Sequence, residues 1–335
     1  MISVFGLDIG GIGHISPLPE VVGAMNEALG RKVLGYGFIK NAYVSSVGDG
    51  ITVVIVHSNN RDDELVHRLA WGVFCVGIEI TKLKRGHAVG QDLSGGEFSR
   101  NMRDVGAQVL EMETNGNGNL LVATDKTHID ALNAVALAYI DPRINPGLAV
   151  SPQMDRGYIL TLIDTHHQGA GNRIVEMMSW EFVPLYVLLF MQRGRFALRK
   201  IRSVATGEVG AMISVSKLIE GHDDPMGIFS TQGGWPIAGD ILRSLAGAMV
   251  SGASRGLRKQ RLCLVPDNTG TVLENPICSA ILFGAEVWHQ DCCTRETELL
   301  FSAADLGQVF LSPEEAENST KHWLDQLDSR FEVVA

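Results

Sequence analysis

The sequence predicts an α+β sandwich, on three observations. Short β-rich runs end on polar or acidic residues, one pair of runs is joined by a tight-turn signal, and helical periodicity is confined to a few separate stretches. In order, Ile2–Leu7 runs into Asp8, Val44–Val47 into Gly48-Asp49-Gly50, and Ile51–Val56 ends at His57. Leu120–Thr124 runs into Asp125 and Tyr158–Ile163 ends at Asp164, with later strand-like runs at Met212–Val215, Leu262–Val265 and Ile277–Leu282. The Asp-Gly of the VGDG segment supplies the positive φ that a hairpin turn needs. Between Asp62 and Leu83 the residues Leu65, Leu69, Val73 and Val76 recur at helical spacing after an acidic first turn. Further helices are predicted over Glu20–Leu29 (stopped by Gly30), Trp180–Gln192, Gly239–Met249 and Ser312–Leu327, the last opening with Ser-Pro-Glu-Glu. Hairpins mixed with helices fit α+β better than a strictly alternating parallel sheet, and no repeat or linker divides the chain.

Bulk properties narrow the function classes. With 335 residues, 45% hydrophobic and 20% charged, the composition is that of a folded globular protein. A formal charge of −10 without a long basic run argues against nucleic-acid and anionic-membrane partners. An anionic substrate would then need bound metal or locally placed cations. Five cysteines (Cys75, Cys263, Cys278, Cys292 and Cys293), odd in number and without a CxxC pair, read as reduced thiols in a cytoplasmic protein. The chain starts directly in a strand-like run, and its most apolar stretch, Phe182–Met191, is too short to span a bilayer and reads as core or subunit contact.

The chemistry-bearing positions are the acidic strand ends Asp8, Asp49, Asp125 and the pair Asp223-Asp224. Hard divalent ions such as Mg²⁺ take several oxygen ligands and usually share them with a substrate phosphate. Carboxylates clustered without a cation could not all stay ionised. Spacing alone leaves the plainer alternative ahead, in which these are separate turn and cap aspartates. Two look-alikes fall short. Phe5–Gly11 has the look of a kinase phosphate loop but lacks a second such loop, and Gly10-Gly11-Ile12-Gly13 is not GxGxxG.

Taken in order, a set of motifs resembles the fructose-1,6-bisphosphate aldolase/phosphatase family of archaea and deeply branching bacteria. They are DIGGIGH (Asp8–His14), VGDG, the helix with His67 and Ala70-Trp71, and the long Val89–Gly106 segment. ATDKT (Ala123–Thr127), Asp141–Met154, GHDDP (Gly221–Pro225), TQGGWPIAG (Thr231–Gly239) and Arg255-Gly256 follow, and past Gly256 the motifs can no longer be followed. The resemblance implies a single-domain four-layer α-β-β-α sandwich in a homo-oligomer, commonly an octamer. It also implies Mg²⁺ dependence, lysine Schiff-base condensation of triose phosphates, and hydrolysis of the product's 1-phosphate. Carried over by position, Asp8, His14, Asp49, Asp125, Asp223 and Asp224 are metal ligands. Gln91 and Lys126 meet substrate or its phosphate, and Gln232 and Arg255 fall near sugar- and phosphate-binding positions.

The departures from the family pattern steer the functional expectation. The Schiff-base lysine is His222 here, and imidazole cannot form the iminium. The acid/base tyrosine is Ile219, and the family's paired aspartates become Asp49-Gly50. The expectation is a Mg²⁺-dependent sugar-phosphate phosphatase acting through Asp223, Asp224, His222 and Lys126. Two alternatives are a metal-dependent aldolase, lyase or isomerase on a phosphorylated sugar, and a non-catalytic oligomeric ligand-binding scaffold. His222 stands open between a metal ligand, an acid/base, a phosphate contact and an inert filler of lysine's space. His67 and Trp71 are expected to pack beneath the site, and His166-His167 to lie at a surface or subunit contact.

Overall fold

The computed structural model describes residues 1–9, 17–47, 50–84, 98–113, 119–124, 129–145, 148, 157–166, 173–192, 194–214, 225–231, 233–237, 240–241, 244–245, 261–265, 278–282, 285–287 and 298–301. The chain is α+β, and it divides into two compact units. One is Met1–Gly116 with Pro266–Glu274 and Gly284–Val309; the other is Asn117–Val265 with Asn275–Phe283 and Phe310–Ala335.

The first unit is built on a four-stranded antiparallel sheet in the order β2-β3-β1-β4. Its strands are β1 (Ile2–Asp8), β2 (Ile39–Val47), β3 (Gly50–His57) and β4 (Gln108–Met112). Val47 pairs with Gly50, so the hairpin expected at VGDG forms, but Gly50 is the first residue of β3 and the connection is Gly48-Asp49 rather than Asp49-Gly50. Two helices, α1 (Pro19–Val33) and α2 (Glu64–Leu83), cover one face. Phe5, Leu7, Ile51, Val53 and Ile55 form one core there with Met25 and Leu29 of α1 and Leu69, Val73 and Phe74 of α2. Each such side chain contributes about 1.5–3 kcal/mol when fully buried. A further antiparallel pair, β13 (Ala285–Val287) with β14 (Glu298–Phe301), belongs to this unit.

Helix α1 does not stop at Gly30 but runs on to Val33, its last turn carrying Arg31 and Lys32. A glycine weakens a helix by only about 1 kcal/mol, and the buried Met25, Ala28 and Leu29 hold this one through the weak point. Asn26 locks α1 to the edge of the sheet. Its amide donates to the Val44 carbonyl at 3.1 Å while its oxygen accepts the Val44 N–H at 2.9 Å. That pairing occupies backbone groups on the exposed side of edge strand β2.

The second unit carries an eight-stranded sheet in the order β11-β12-β5-β10-β9-β8-β6-β7. The ranges are β5 (Asn119–Thr124), β6 (Tyr158–Asp164), β7 (Arg173–Met178), β8 (Phe196–Ser203), β9 (Val209–Ile213), β10 (Met226–Ser230), β11 (Arg261–Val265) and β12 (Cys278–Leu282). Every neighbouring pair is antiparallel except β11 with β12. A 3₁₀ turn (Ala131–Ala136) leads into the short helix Leu137–Ile140, both almost wholly buried. Asn133 of that turn donates to the carbonyls of Leu189 (3.1 Å) and Phe196 (2.8 Å) and accepts the Leu198 N–H (2.8 Å). The apolar stretch after β7 is a helix, Phe182–Tyr186, continuing as a π-turn, Val187–Met191. It splits its faces: Leu185 and Leu189 are buried, whereas Val183 and Met191 are exposed. Among the described residues no helix is long and apolar enough to cross a membrane.

Helix α2 begins where its N-cap is best formed, with the Asp63 carboxylate accepting the N–H groups of Leu65 (3.0 Å) and Val66 (3.1 Å). Asp63→Ala is expected to lower stability by about 1 kcal/mol, read as a lower denaturation midpoint with an unchanged denaturant slope.

Candidate functional site

Strand register decides which acidic strand ends come together. In the first unit Asp8 is the last residue of β1 and pairs with Gly50, the first of β3 and the neighbour of Asp49 in sequence. In the second unit Ala123 pairs with Met226, so the end of β5 that leads to Asp125 adjoins the start of β10 that follows Asp223-Asp224. The strand ends that flank the acidic connections are therefore neighbours within each sheet.

Several expected positions lie outside the described residues: His14, Asp49, Gln91, Asp125, Lys126, His222, Asp223, Asp224, Gln232 and Arg255. The strand ends next to them are the structural facts that bear on them. Asp164 closes β6 as expected; it is buried and paired with Arg195 at 3.3 Å, a structural ion pair. His166, just beyond it, is exposed. Trp71 stacks on Phe98 with centroids 5.9 Å apart.

A second polar cluster was not visible in the sequence. Asp62, His67 and Glu111 each bring one ligand-type atom within 4.8 Å of the others. The hydrogen bonds argue against a metal there. His67 Nδ1 accepts the Met102 N–H at 3.0 Å, so its proton sits on Nε2, which faces Glu111 Oε1 at 3.5 Å and has no lone pair for an ion. Cations are already in place: Arg103 contacts both Asp62 and Glu111, and Arg61 lies 3.9 Å from Glu111. A metal does not fit this donor set.

Nor is the cluster a nucleophile–base pair. Ser3 Oγ donates to Glu111 at 3.0 Å, so the 2.8 Å contact from His57 Nε2 must be the ring donating to the serine. That polarity is the reverse of an activated serine, and both residues are buried. What the cluster does is hold Asp62, in the left-handed region at φ 58, by two bonds from its N–H to Glu111 at 3.2 and 3.3 Å. Glu111 of β4 thereby fixes the connection from β3 into α2. His67 thus packs and hydrogen-bonds as expected of a supporting residue. Ser3, His57, His67 and Glu111 carry no common spacing, so nothing in the sequence could have assembled them.

The electrostatics follow from the burial. Desolvation chiefly, then the positive N-terminal amine, push the His57 pKa down to about 4. Burial would raise the Glu111 carboxyl, but the bonds from His67, Ser3 and the Asp62 N–H outweigh it and hold the group below the ordinary carboxylate range.

Comparison with known proteins shows the family. The fructose-1,6-bisphosphatase family matches residues 1–288, running past Gly256 where the motifs could no longer be followed. A fructose-1,6-bisphosphate aldolase/phosphatase of Thermus thermophilus is 31% identical over 280 residues, 80% of this chain and 76% of that protein. One from Ignicoccus hospitalis is 29% identical over 79% of this chain and 70% of its own length. One from Methanothermobacter marburgensis is 26% identical over 81% and 76%.

Both buried groups make acid destabilising. Between its ordinary 6.5 and about 4, His57 takes up a proton only when unfolded, so stability falls as pH drops through that window. Glu111 stays ionised in the fold where the unfolded carboxyl protonates, so its contribution is present above about pH 4.5 and is lost below it. Glu111→Gln is expected to cost about 2–3 kcal/mol at pH 7 and to flatten the acid limb of the thermal midpoint plotted against pH. An unchanged midpoint in this variant would mean the carboxylate holds nothing.

Proposed function

This chain belongs to the fructose-1,6-bisphosphatase family, and from that premise we propose that it is a Mg²⁺-dependent sugar-phosphate phosphatase without Schiff-base aldolase activity. The observation that supports the reading is the register of β10 on β5, Ala123 opposite Met226, which sets the end of β5 that precedes Asp125 beside the start of β10 that follows Asp223-Asp224. The pairing of Asp8 with Gly50, beside Asp49, supports the same assignment in the first sheet. The curated relatives named above carry both aldolase and phosphatase in their names. His222 in place of the Schiff-base lysine removes the primary amine that the aldol half needs.

In this reading Asp8, His14, Asp49, Asp125, Asp223 and Asp224 hold the ions. Bound Mg²⁺ supplies polarisation of the phosphate and acidification of an attacking water. Lys126 sets its ammonium against phosphate oxygens, and Arg255 adds a second cation on an otherwise acidic chain. Gln91 and Gln232 orient the sugar through amide hydrogen bonds. His222, next to the acid pair, moves a proton to or from the leaving oxygen. The reading extends to a single-domain four-layer sandwich in a cytoplasmic homo-oligomer.

The test is phosphate release from a panel of phosphorylated sugars. Release that needs Mg²⁺, stops with chelator and falls at least a hundredfold in Asp223→Asn is the expected result. His222→Lys is expected to lower release roughly a hundredfold, because the imidazole that moves the proton near neutral pH is lost. Metal-dependent turnover of the sugar without free phosphate would replace this reading with a lyase or isomerase.

A further inference from the structure

Tyr186 lies at the middle of an aromatic row that the fold leaves partly in solvent. Phe182, Tyr186 and Phe190 recur four residues apart, and their rings touch in succession, with centroids 5.9 Å and then 5.0 Å apart. Leu185 and Leu189 form the inner side of the same helix and π-turn and are buried. On the outer side Val183 is 70% exposed and Met191 69%, and Trp180, just before the helix, is 46% exposed. No charged residue occurs between Phe182 and Met191.

Surface of this kind is more than a scattering of single exposed side chains. By side-chain size the face would take on the order of 500 Å² per copy out of water, close to the roughly 600 Å² per partner at which specific interfaces begin. Its charges then select the occupant. A helix that lies on an anionic bilayer carries Lys and Arg along its polar side. Here the residue before the helix is Glu181, exposed, on a chain of net charge −10. Arg195 stands at the other end, partly exposed, held by its N–H to the Gln192 carbonyl at 3.2 Å and by Asp164 at 3.3 Å.

A second copy laid antiparallel across this face brings each copy's Glu181 to the end where the other carries Arg195, and sets Tyr186 against Tyr186. A parallel copy would set like charges together. The antiparallel arrangement is its own complement, so it closes after two copies and leaves no open end.

We propose that this face is a two-fold contact between copies of this chain, with the aromatic rows packed antiparallel. The proposal names one interface of the homo-oligomer in the reading above and rests on that part of it, not on the phosphatase chemistry.

The experiment is sedimentation velocity of the full chain at micromolar concentration, comparing wild type with the double variant Val183→Glu/Tyr186→Glu. Both side chains are exposed, so the variant is expected to keep the circular dichroism and thermal midpoint of wild type while its oligomer mass falls about twofold or more. Glu181→Arg is expected to raise the dissociation constant about threefold or more at low salt. A short bis-maleimide is expected to link copies through Tyr186→Cys beyond the wild-type background, and not through Leu34→Cys, which is as exposed but lies in the first unit. That cross-link decides the matter even if the glutamate variant does not fold. A monomeric wild type overturns the proposal together with the homo-oligomer. An oligomer whose mass is unchanged in the folded double variant, or no cross-link through Tyr186→Cys, overturns the proposal alone. Absence of phosphate release from wild type would sink the phosphatase reading and leave each of these outcomes readable.

Discussion

A one-residue slip of β10 against β5 would turn its side chains to the opposite faces of the sheet, because side-chain direction in a strand alternates with a period of two. Ile228 and Phe229 would exchange faces, and Met226 would leave Ala123. The register is pinned from several sides. Gly227 sits where a Cβ would come within 2.4 Å of the Phe229 ring, so only glycine fits there unless that ring moves. Ser214 accepts the Met226 N–H through its hydroxyl at 2.9 Å and returns its own N–H to the Met226 carbonyl at 2.8 Å. These contacts lie at the first residue of β10, beside the acidic connection, and they fix where that connection leaves the sheet. The start of β10 is thus held by packing within the sheet.

The buried cluster under α2 shows the complementary case, in which acidic and imidazole groups meet without forming a reactive site. Glu111 has a fully buried side chain and is surrounded by donors: Ser3, the Asp62 N–H, Arg103 and the ring of His67. A buried carboxylate is tolerable when its lone pairs are filled and a cation stands near. Proximity of three ligand-type residues is therefore a poor guide to metal binding when the hydrogen-bond polarity is not followed atom by atom. Here one backbone N–H, that of Met102, settles the tautomer of His67 and with it the chemistry.

Much of the fold was legible because local patterns and tertiary packing agreed. The VGDG hairpin, β1, β5, β6 and α2 are where turn chemistry and periodicity put them. The misses have physical causes. Strand β8 carries Arg199, Lys200 and Arg202 within eight residues, so its alternation is masked by charge although Ala197, Leu198 and Ile201 are buried. Strand β10 is five residues long and includes a glycine, too little for a pattern. At Gly30 the intrinsic cost of a glycine was smaller than the burial holding α1 together. For the candidate site, the acidic residue types and their strand-end positions could be read directly, whereas the pairing of those ends could not. Register is a long-range property, and Ala123 and Met226 carry no mutual signal in the linear chain. The stacking of Tyr158 on Trp235 was invisible for the same reason: the two residues start and follow strands that are not neighbours in the sheet.

The His222 substitution matters because the two reactions attributed by name to the relatives make different demands on a protein. Phosphoryl transfer asks mainly for charge and position: carboxylates, a dication and a few cations around a phosphate. Schiff-base chemistry asks for one particular atom, a primary amine that can lose both protons to a carbonyl carbon. A histidine at that position does not supply such an amine. Gly50 in place of a second aspartate acts in the same direction. Each carboxylate removed from a crowded cluster lessens the repulsion that the remaining ones must overcome to stay ionised, and it lowers the positive charge needed to hold them. Charge and position thus tolerate the loss of one residue more readily than a chemistry that depends on a single atom.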